Sequence, residues 1–206
     1  MTDHPQAGDP SGATPAATAE PVRRQRRRQR SSTRNAVEWL LVVVGAVVVA
    51  LLIKTFVVQA FRIPSDSMVP TLLDGDRVLV NKLSYDAHDI NRGDVVVFSR
   101  PAGLPASPDD PDDLIKRVIG LPGETIEAHE GIVVVDGREL REPYLVDEAS
   151  TFNIDTPIKV PEDHVLVLGD NRTNSTDGRA FGPIPVDSVV GRAFMIMWPP
   201  GRIGGL

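Results

Sequence analysis

Ser65 and Ser67 lie two residues apart in the run Phe61-Arg62-Ile63-Pro64-Ser65-Asp66-Ser67-Met68-Val69-Pro70-Thr71-Leu72. Each proline fixes its own φ and restricts the residue before it, so the segment is stiff. A stiff segment can present a hydroxyl beside backbone N–H groups, which attack on a carbonyl and stabilisation of its oxyanion both need. The same residues also describe an ordinary Ser/Asp/Pro turn. A serine nucleophile requires a base. The four histidines (His4, His88, His129, His164) are scattered, without metal-ligand spacing and without an HExxH or GxSxG motif, and read as surface or turn residues. There are no cysteines, so thiolate nucleophiles, thiolate zinc sites and disulfides are excluded. Lysine is then the remaining base, and it serves only if burial lowers a pKa that starts near 10.4. Lys116 is best placed for this, in Leu114-Ile115-Lys116-Arg117-Val118-Ile119. Strand alternation sends 114, 116 and 118 to one face and 115, 117 and 119 to the other, so one buried face takes one of the two bases inside. Arginine does not deprotonate in a protein, so the buried base able to react is the lysine. An exposed strand carrying both bases fits the same pattern.

The elements that must position this pair are of two kinds. Trp39 to Ile53, WLLVVVGAVVVALLI, carries no charge. Fifteen helical residues rise about 22 Å, short of a hydrocarbon core of roughly 30 Å. The apolar pattern continues past Lys54 to Phe61, and Lys54 can snorkel to the interface. Val37 to Phe61 therefore reads as a bilayer-spanning helix, anchored by Trp39 and Phe61 and ended by Pro64. An alternative is a cleavable leader, because Val58-Gln59-Ala60 has the small-residue spacing of a cleavage site. The long leader and the lack of a helix breaker before Ala60 favour an uncleaved anchor. Seven arginines stand among residues 1–35 against Asp3, Asp9 and Glu20, although the whole chain has a net charge of −6. Arginines directly before the anchor stay cytoplasmic, which puts residues 62–206 on the far side of the membrane. No basic surface or stacking aromatics follow them, so nucleic acid is not an expected partner. Residues 1–35, rich in Ala, Pro, Gly, Thr and Arg, read as a disordered basic tail. Beyond the anchor, Arg77–Val80, Asp94–Phe98, Ile132–Val135, His164–Leu168 and Val189–Trp198 are short, β-branched and bounded by turn residues. Asp136-Gly137 between IVVV and REL is a two-residue hairpin signal. The expected fold is mostly β, antiparallel, over residues 62–206, with a looser stretch at about 127–160 and an acidic Pro-rich loop at 102–113.

Four segments, IPSDSMVPTL (63–72), GDVVVF (93–98), KRVIGLPGE (116–124) and GDNRTNSTDGRAFG (169–182), resemble in order the sequence boxes of the bacterial type I signal peptidases. The resemblance covers residues 37–198. It implies an antiparallel β-sheet peptidase core shared with the self-cleaving repressor proteases, an N-terminal transmembrane helix at 36–61, and a Ser–Lys dyad that removes signal peptides outside the cytoplasmic membrane. Position by position, it assigns Ser67 as nucleophile and Lys116 as general base. Ser65 becomes the oxyanion donor beside the Ser67 N–H, Ser175 the residue that hydrogen-bonds and orients the lysine, and Asp177 with Arg179 a supporting pair. Phe61, Ile63, Met68 and Ile115 would line shallow pockets selecting Ala-X-Ala. No metal or cofactor is implied. The implied partners are signal peptides of exported preproteins, the lipid bilayer and the secretion machinery. Asp66 stands where many members have glycine, and Gly178 where serine is frequent. The short 127–160 stretch implies a small cap. Two other classes stay open: an inert membrane-tethered β domain, and a self-cleaving repressor-type protease, which would carry a DNA-binding helix-turn-helix in place of the anchor.

Overall fold

The computed structural model describes residues 22–206 except 106, 109, 147–150, 153 and 155. The chain divides into two compact units, Met1–Val49 and Ala50–Leu206. Helix α1 runs Val22–Phe56. Its window Arg34–Leu51 has a mean hydropathy of 1.9, and eighteen residues rise about 27 Å, close to a bilayer core. Its apolar side chains are exposed, Trp39 by 70% and Leu41 by 65%, which is the surface a lipid-facing helix presents rather than a buried one.

Both expected boundaries of the anchor are corrected. The helix begins inside the stretch expected to be a disordered tail, so residues 22–35 are helical, while residues 1–21 of that tail lie outside the described residues. It ends at Phe56, not at Phe61 before Pro64, because the chain enters strand β1, Val58–Arg62. β1 pairs antiparallel along its whole length with β2, Arg77–Asn81, in the register Val58↔Asn81 to Arg62↔Arg77. A strand partner outweighs continued helix where Val57 and Val58 are β-branched. Phe61 is therefore a strand residue opposite Val78, packed against the core. Ala60 pairs with Leu79, so cleavage after it would remove the first three residues of a sheet strand.

The remaining strands are β3 (Val95–Ser99), β4 (Asp113–Gly120), β5 (Thr125–His129), β6 (Ile132–Val135), β7 (Arg138–Glu139), β8 (Ile158–Lys159), β9 (His164–Leu168), β10 (Ile184–Pro185), β11 (Val189–Trp198) and β12 (Gly204–Gly205). The larger sheet has the order β1-β2-β11-β3-β4-β9-β10, with β12 on β11, and every pairing is antiparallel. A second antiparallel sheet, β7-β6-β5-β8, occupies the stretch expected to form a cap. The Asp136-Gly137 turn joins β6 to β7 with φ of 47° and 76°, the positive values its sequence demands.

The central strands are buried on both faces. Val95, Val97 and Ile115 pack with Ile63, Met68 and Leu72, whereas their alternates Val96, Phe98 and Val118 pack with Val165, Val167 and Ile184. Strands covered on both sides lose the apolar/polar alternation of a half-exposed sheet. In consequence Lys116 and Arg117 are both inside, at 4% and 7% exposure. The expectation that one of the two bases points outward does not hold.

Candidate active site

After β1 the chain makes a single 3-10 turn, Asp66–Met68, with Ser65 extended before it and Val69 N–H closing it on the Asp66 carbonyl at 3.1 Å. The turn is held from both sides. Ile63 N–H donates to the Asp76 carbonyl at 2.9 Å, and Asn171 donates its backbone N–H to the Ser67 carbonyl (3.1 Å) and its amide Nδ2 to the Asp66 carbonyl (3.0 Å). Ser67 is thereby fixed at the floor of the site, 9% exposed.

Lys116 reaches it from β4. Its Nζ donates to Ser67 Oγ at 2.7 Å and to the Ile115 carbonyl at 2.9 Å. Burial pushes the amine down to about 8, against the opposing pull of the Asp177 and Asp170 carboxylates. A lysine so placed is neutral in a useful fraction of molecules near neutral pH, which a general base requires. Ser65 Oγ lies 3.3 Å from Ser67 Oγ, and both residues line the same cavity. Phe61, Ile63 and Ile115 line, with Ser67 and Lys116, an open cavity of about 460 Å³. The loop between β3 and β4 supplies its further wall through Leu104, Pro105 and Pro111.

Two expected positions are corrected. Met68 is fully buried among Ile63, Leu72 and Val78, so it fills the core beneath the turn instead of lining the cavity. No hydrogen bond joins Ser175 to Lys116 among the described residues: Ser175 Oγ is buried over Gly169 and acts on the Asp177 carboxyl instead. Asp177 and Arg179 do pair, Arg179 Nε and Nη2 each donating at 2.8 Å to a separate carboxylate oxygen. Burial opposes the charge on Asp177, yet the Arg179 guanidinium and the Gly169 N–H (2.9 Å) outweigh it and hold the carboxyl below its usual range. That pair fixes the backbone at Gly169, where a Cβ would come within 2.2 Å of Ser175 Oγ and 2.5 Å of the Ser67 carbonyl. Glycine is the residue that permits this approach. Gly178, a departure from the family pattern, opens the short helix α2, Gly178–Phe181, where a Cβ would lie 2.7 Å from the Val167 carbonyl.

Sequence reasoning weighs Arg117 only as a base that cannot deprotonate, and it misses Asp170 and Asn171. Arg117 donates Nε and Nη2 to the two oxygens of Asp170 at 2.8 and 2.6 Å, with its guanidinium 3.9 Å above the Tyr144 ring. This bidentate, stacked geometry is what makes a buried guanidinium tolerable. Asp170 and Asn171 stood in the quoted GDNR run, but nothing local marked them as neighbours of residue 67.

The arrangement is a hydroxyl, a buried amine of lowered pKa and a cavity with mixed apolar and polar walls, which together can carry out acyl transfer. The chain matches the family described as "Signal peptidase, peptidase S26" over residues 36–198. It is 42% identical over 187 residues to a probable signal peptidase I-2 from Synechocystis, covering 89% of this chain and 83% of that one. It is 44% identical to a signal peptidase I from Leptolyngbya laminosa, covering 78% and 79%. A crystal structure of a signal peptidase I from Enterococcus faecalis V583 is 31% identical and covers 51% of this chain and 97% of its own, at a TM-score of 0.40. With a family match over residues 36–198 and 42% identity over most of its length, this chain belongs to the signal peptidase family, peptidase S26.

Proposed function

We propose that this chain is a membrane-anchored serine endopeptidase that removes N-terminal signal peptides from exported preproteins, cleaving after small residues in an Ala-X-Ala pattern. The observation that carries the reading is the 2.7 Å contact between Ser67 Oγ and the buried amine of Lys116. Neutral Lys116 takes the Ser67 proton as Oγ attacks the carbonyl carbon of the residue before the scissile bond. The Ser67 N–H and the Ser65 hydroxyl, 3.3 Å from Ser67 Oγ, stabilise the oxyanion. The resulting lysinium protonates the leaving amine as the C–N bond breaks. Lys116, neutral again, then activates the water that hydrolyses the acyl-enzyme.

The Asp177–Arg179 pair supports this chemistry by fixing Gly169 under the Ser67 carbonyl. Apolar walls at Phe61, Ile63 and Ile115 suit small aliphatic side chains better than charged ones. The arginines that precede the apolar stretch within α1 keep the N-terminus cytoplasmic, and the sheet domain works outside the membrane. A substrate whose apolar segment lies in the same bilayer is then delivered beside the domain, with the secretion machinery as its source.

Purified full-length protein in detergent, incubated with a preprotein, yields a single cut after an Ala-X-Ala sequence. Ser67→Ala and Lys116→Ala abolish it. Full activity in either variant sinks the assignment.

A further inference from the structure

The second sheet has no part in the dyad chemistry, yet the segment following β7 reaches into the frame that holds Ser67. Glu142 lies there, almost wholly buried, and accepts from Arg172 Nη2 at 2.5 Å and Nη1 at 3.0 Å. The Arg172 side chain is fully buried, at 0% exposure. Its Nη1 also donates to Thr151 Oγ1 from the same region, and its Nε donates to the Gly169 carbonyl at 3.0 Å. Tyr144 adds a second line of contact. Its hydroxyl donates to Glu142 Oε1 at 2.7 Å, while its ring lies against Arg117, the partner of Asp170.

Gly169, Asp170 and Arg172 are thus gripped from the cap side. The residue between them, Asn171, makes both hydrogen bonds to the nucleophile turn. We propose that Glu142 is a positioning residue for the nucleophile: with Tyr144 it clamps Arg172 and Arg117, and through them it holds the Gly169–Asn171 backbone against Ser67. This rests on the peptidase reading for its kinetic consequence but not for its structural one. A buried ion pair is weak support for stability compared with an apolar replacement, and its best-attested use is to fix one arrangement among several. A positioning role predicts that loosening Glu142 displaces Ser67 and leaves the cavity walls, and so substrate binding, in place.

Glu142→Gln keeps the size, removes the charge and turns one of the two acceptor oxygens into a donor that faces Arg172 or Tyr144. Tyr144→Phe keeps the stack on Arg117 and removes the hydroxyl. Full-length variants in detergent are assayed for kcat and KM on an Ala-X-Ala peptide, for thermal midpoint, and by hydrogen exchange resolved to the segments 66–68 and 169–172. The expected result for Glu142→Gln is a fall in kcat of about tenfold or more, since misplacement near 1 Å can cost ~100-fold, with KM within twofold. Exchange speeds up in both segments but not in β2 or β11, and Glu142→Asp restores part of the rate. Tyr144→Phe shows a smaller change in the same direction. Unchanged kcat in folded Glu142→Gln, or a loss that only follows the fraction unfolded, overturns the proposal, and so does unchanged exchange at 66–68. The exchange readout stands even if wild type cleaves nothing, an outcome that strikes the peptidase reading alone.

Discussion

Replacing Lys116 by methionine should stabilise the protein at pH 6 and destabilise it at pH 11. In the folded chain the amine titrates at about 8 against an ordinary 10.5, and at 1.36 kcal/mol per unit this is about 3 kcal/mol. Between these values the unfolded chain holds a proton that the folded chain has released, so stability rises with pH from about 8 to 10.5. Below pH 8 the whole penalty of charging a buried amine is present; above 10.5 it is gone. Methionine fills a similar volume and does not titrate. It does forfeit the hydrogen bonds to Ser67 Oγ and the Ile115 carbonyl, worth about 1 kcal/mol each. The net expectation is a gain of about 1 kcal/mol at pH 6, turning into a loss of about 2 kcal/mol at pH 11. Urea unfolding of both full-length proteins in the same detergent, followed by circular dichroism across this range, reads the difference, because groups common to both cancel. Curves that run parallel from pH 6 to pH 11 would refute the claim that burial of this amine sets its pKa. Catalytic activity is lost in the variant at every pH.

The same titration fixes the rate profile: kcat/KM should climb about tenfold per pH unit below 8 and flatten above it. A profile with no acid limb between pH 5 and 9 would remove Lys116 as the base. Gly169→Ala places a Cβ 2.2 Å from Ser175 Oγ and 2.5 Å from the Ser67 carbonyl. Its activity should therefore disappear with a lowered thermal midpoint, and wild-type kcat with an unchanged midpoint would show that the approach at Gly169 is not demanding.

Local chemistry made much of the sheet legible. The β-branched runs at 77–80, 94–98, 132–135, 164–168 and 189–198 are all strands within a residue or two, because each carries its own bounding turn residues. Asp136-Gly137 was readable because positive φ at both positions leaves few residue choices. The tight turn Glu130-Gly131, with φ of 51° and 85°, joins β5 to β6 in the same way but lacks the Asn or Asp that advertises it. Strand β1 was hidden for another reason. Val57 to Phe61 continues the apolar pattern of the helix, and only the pairing with residues 77–81 makes it a strand.

At the site, elimination and spacing nominate Ser67 and Lys116 only alongside an ordinary turn and an exposed strand; the resemblance of the four segments singles the pair out, and neither describes what holds it. Alternation in β4 predicts one buried base of the two, a rule that assumes one wet face. With β3 and β9 as neighbours and apolar clusters on both sides, the strand has none. Arg117 is then admitted because Asp170, 53 residues away, meets it with both oxygens, and Tyr144 covers its plane. No periodicity in 114–119 encodes a carboxylate so distant in sequence. The same holds for Asn171 on the Ser67 carbonyl and for Glu142 on Arg172. The candidate reacting groups are marked by local segments of sequence, whereas their frame consists of long-range polar contacts that exist once the strands are in register. Since that frame fixes where Ser67 Oγ sits relative to the amine, substitutions at Asn171 or Glu142 are expected to resemble faults in the dyad although neither residue exchanges a proton with it.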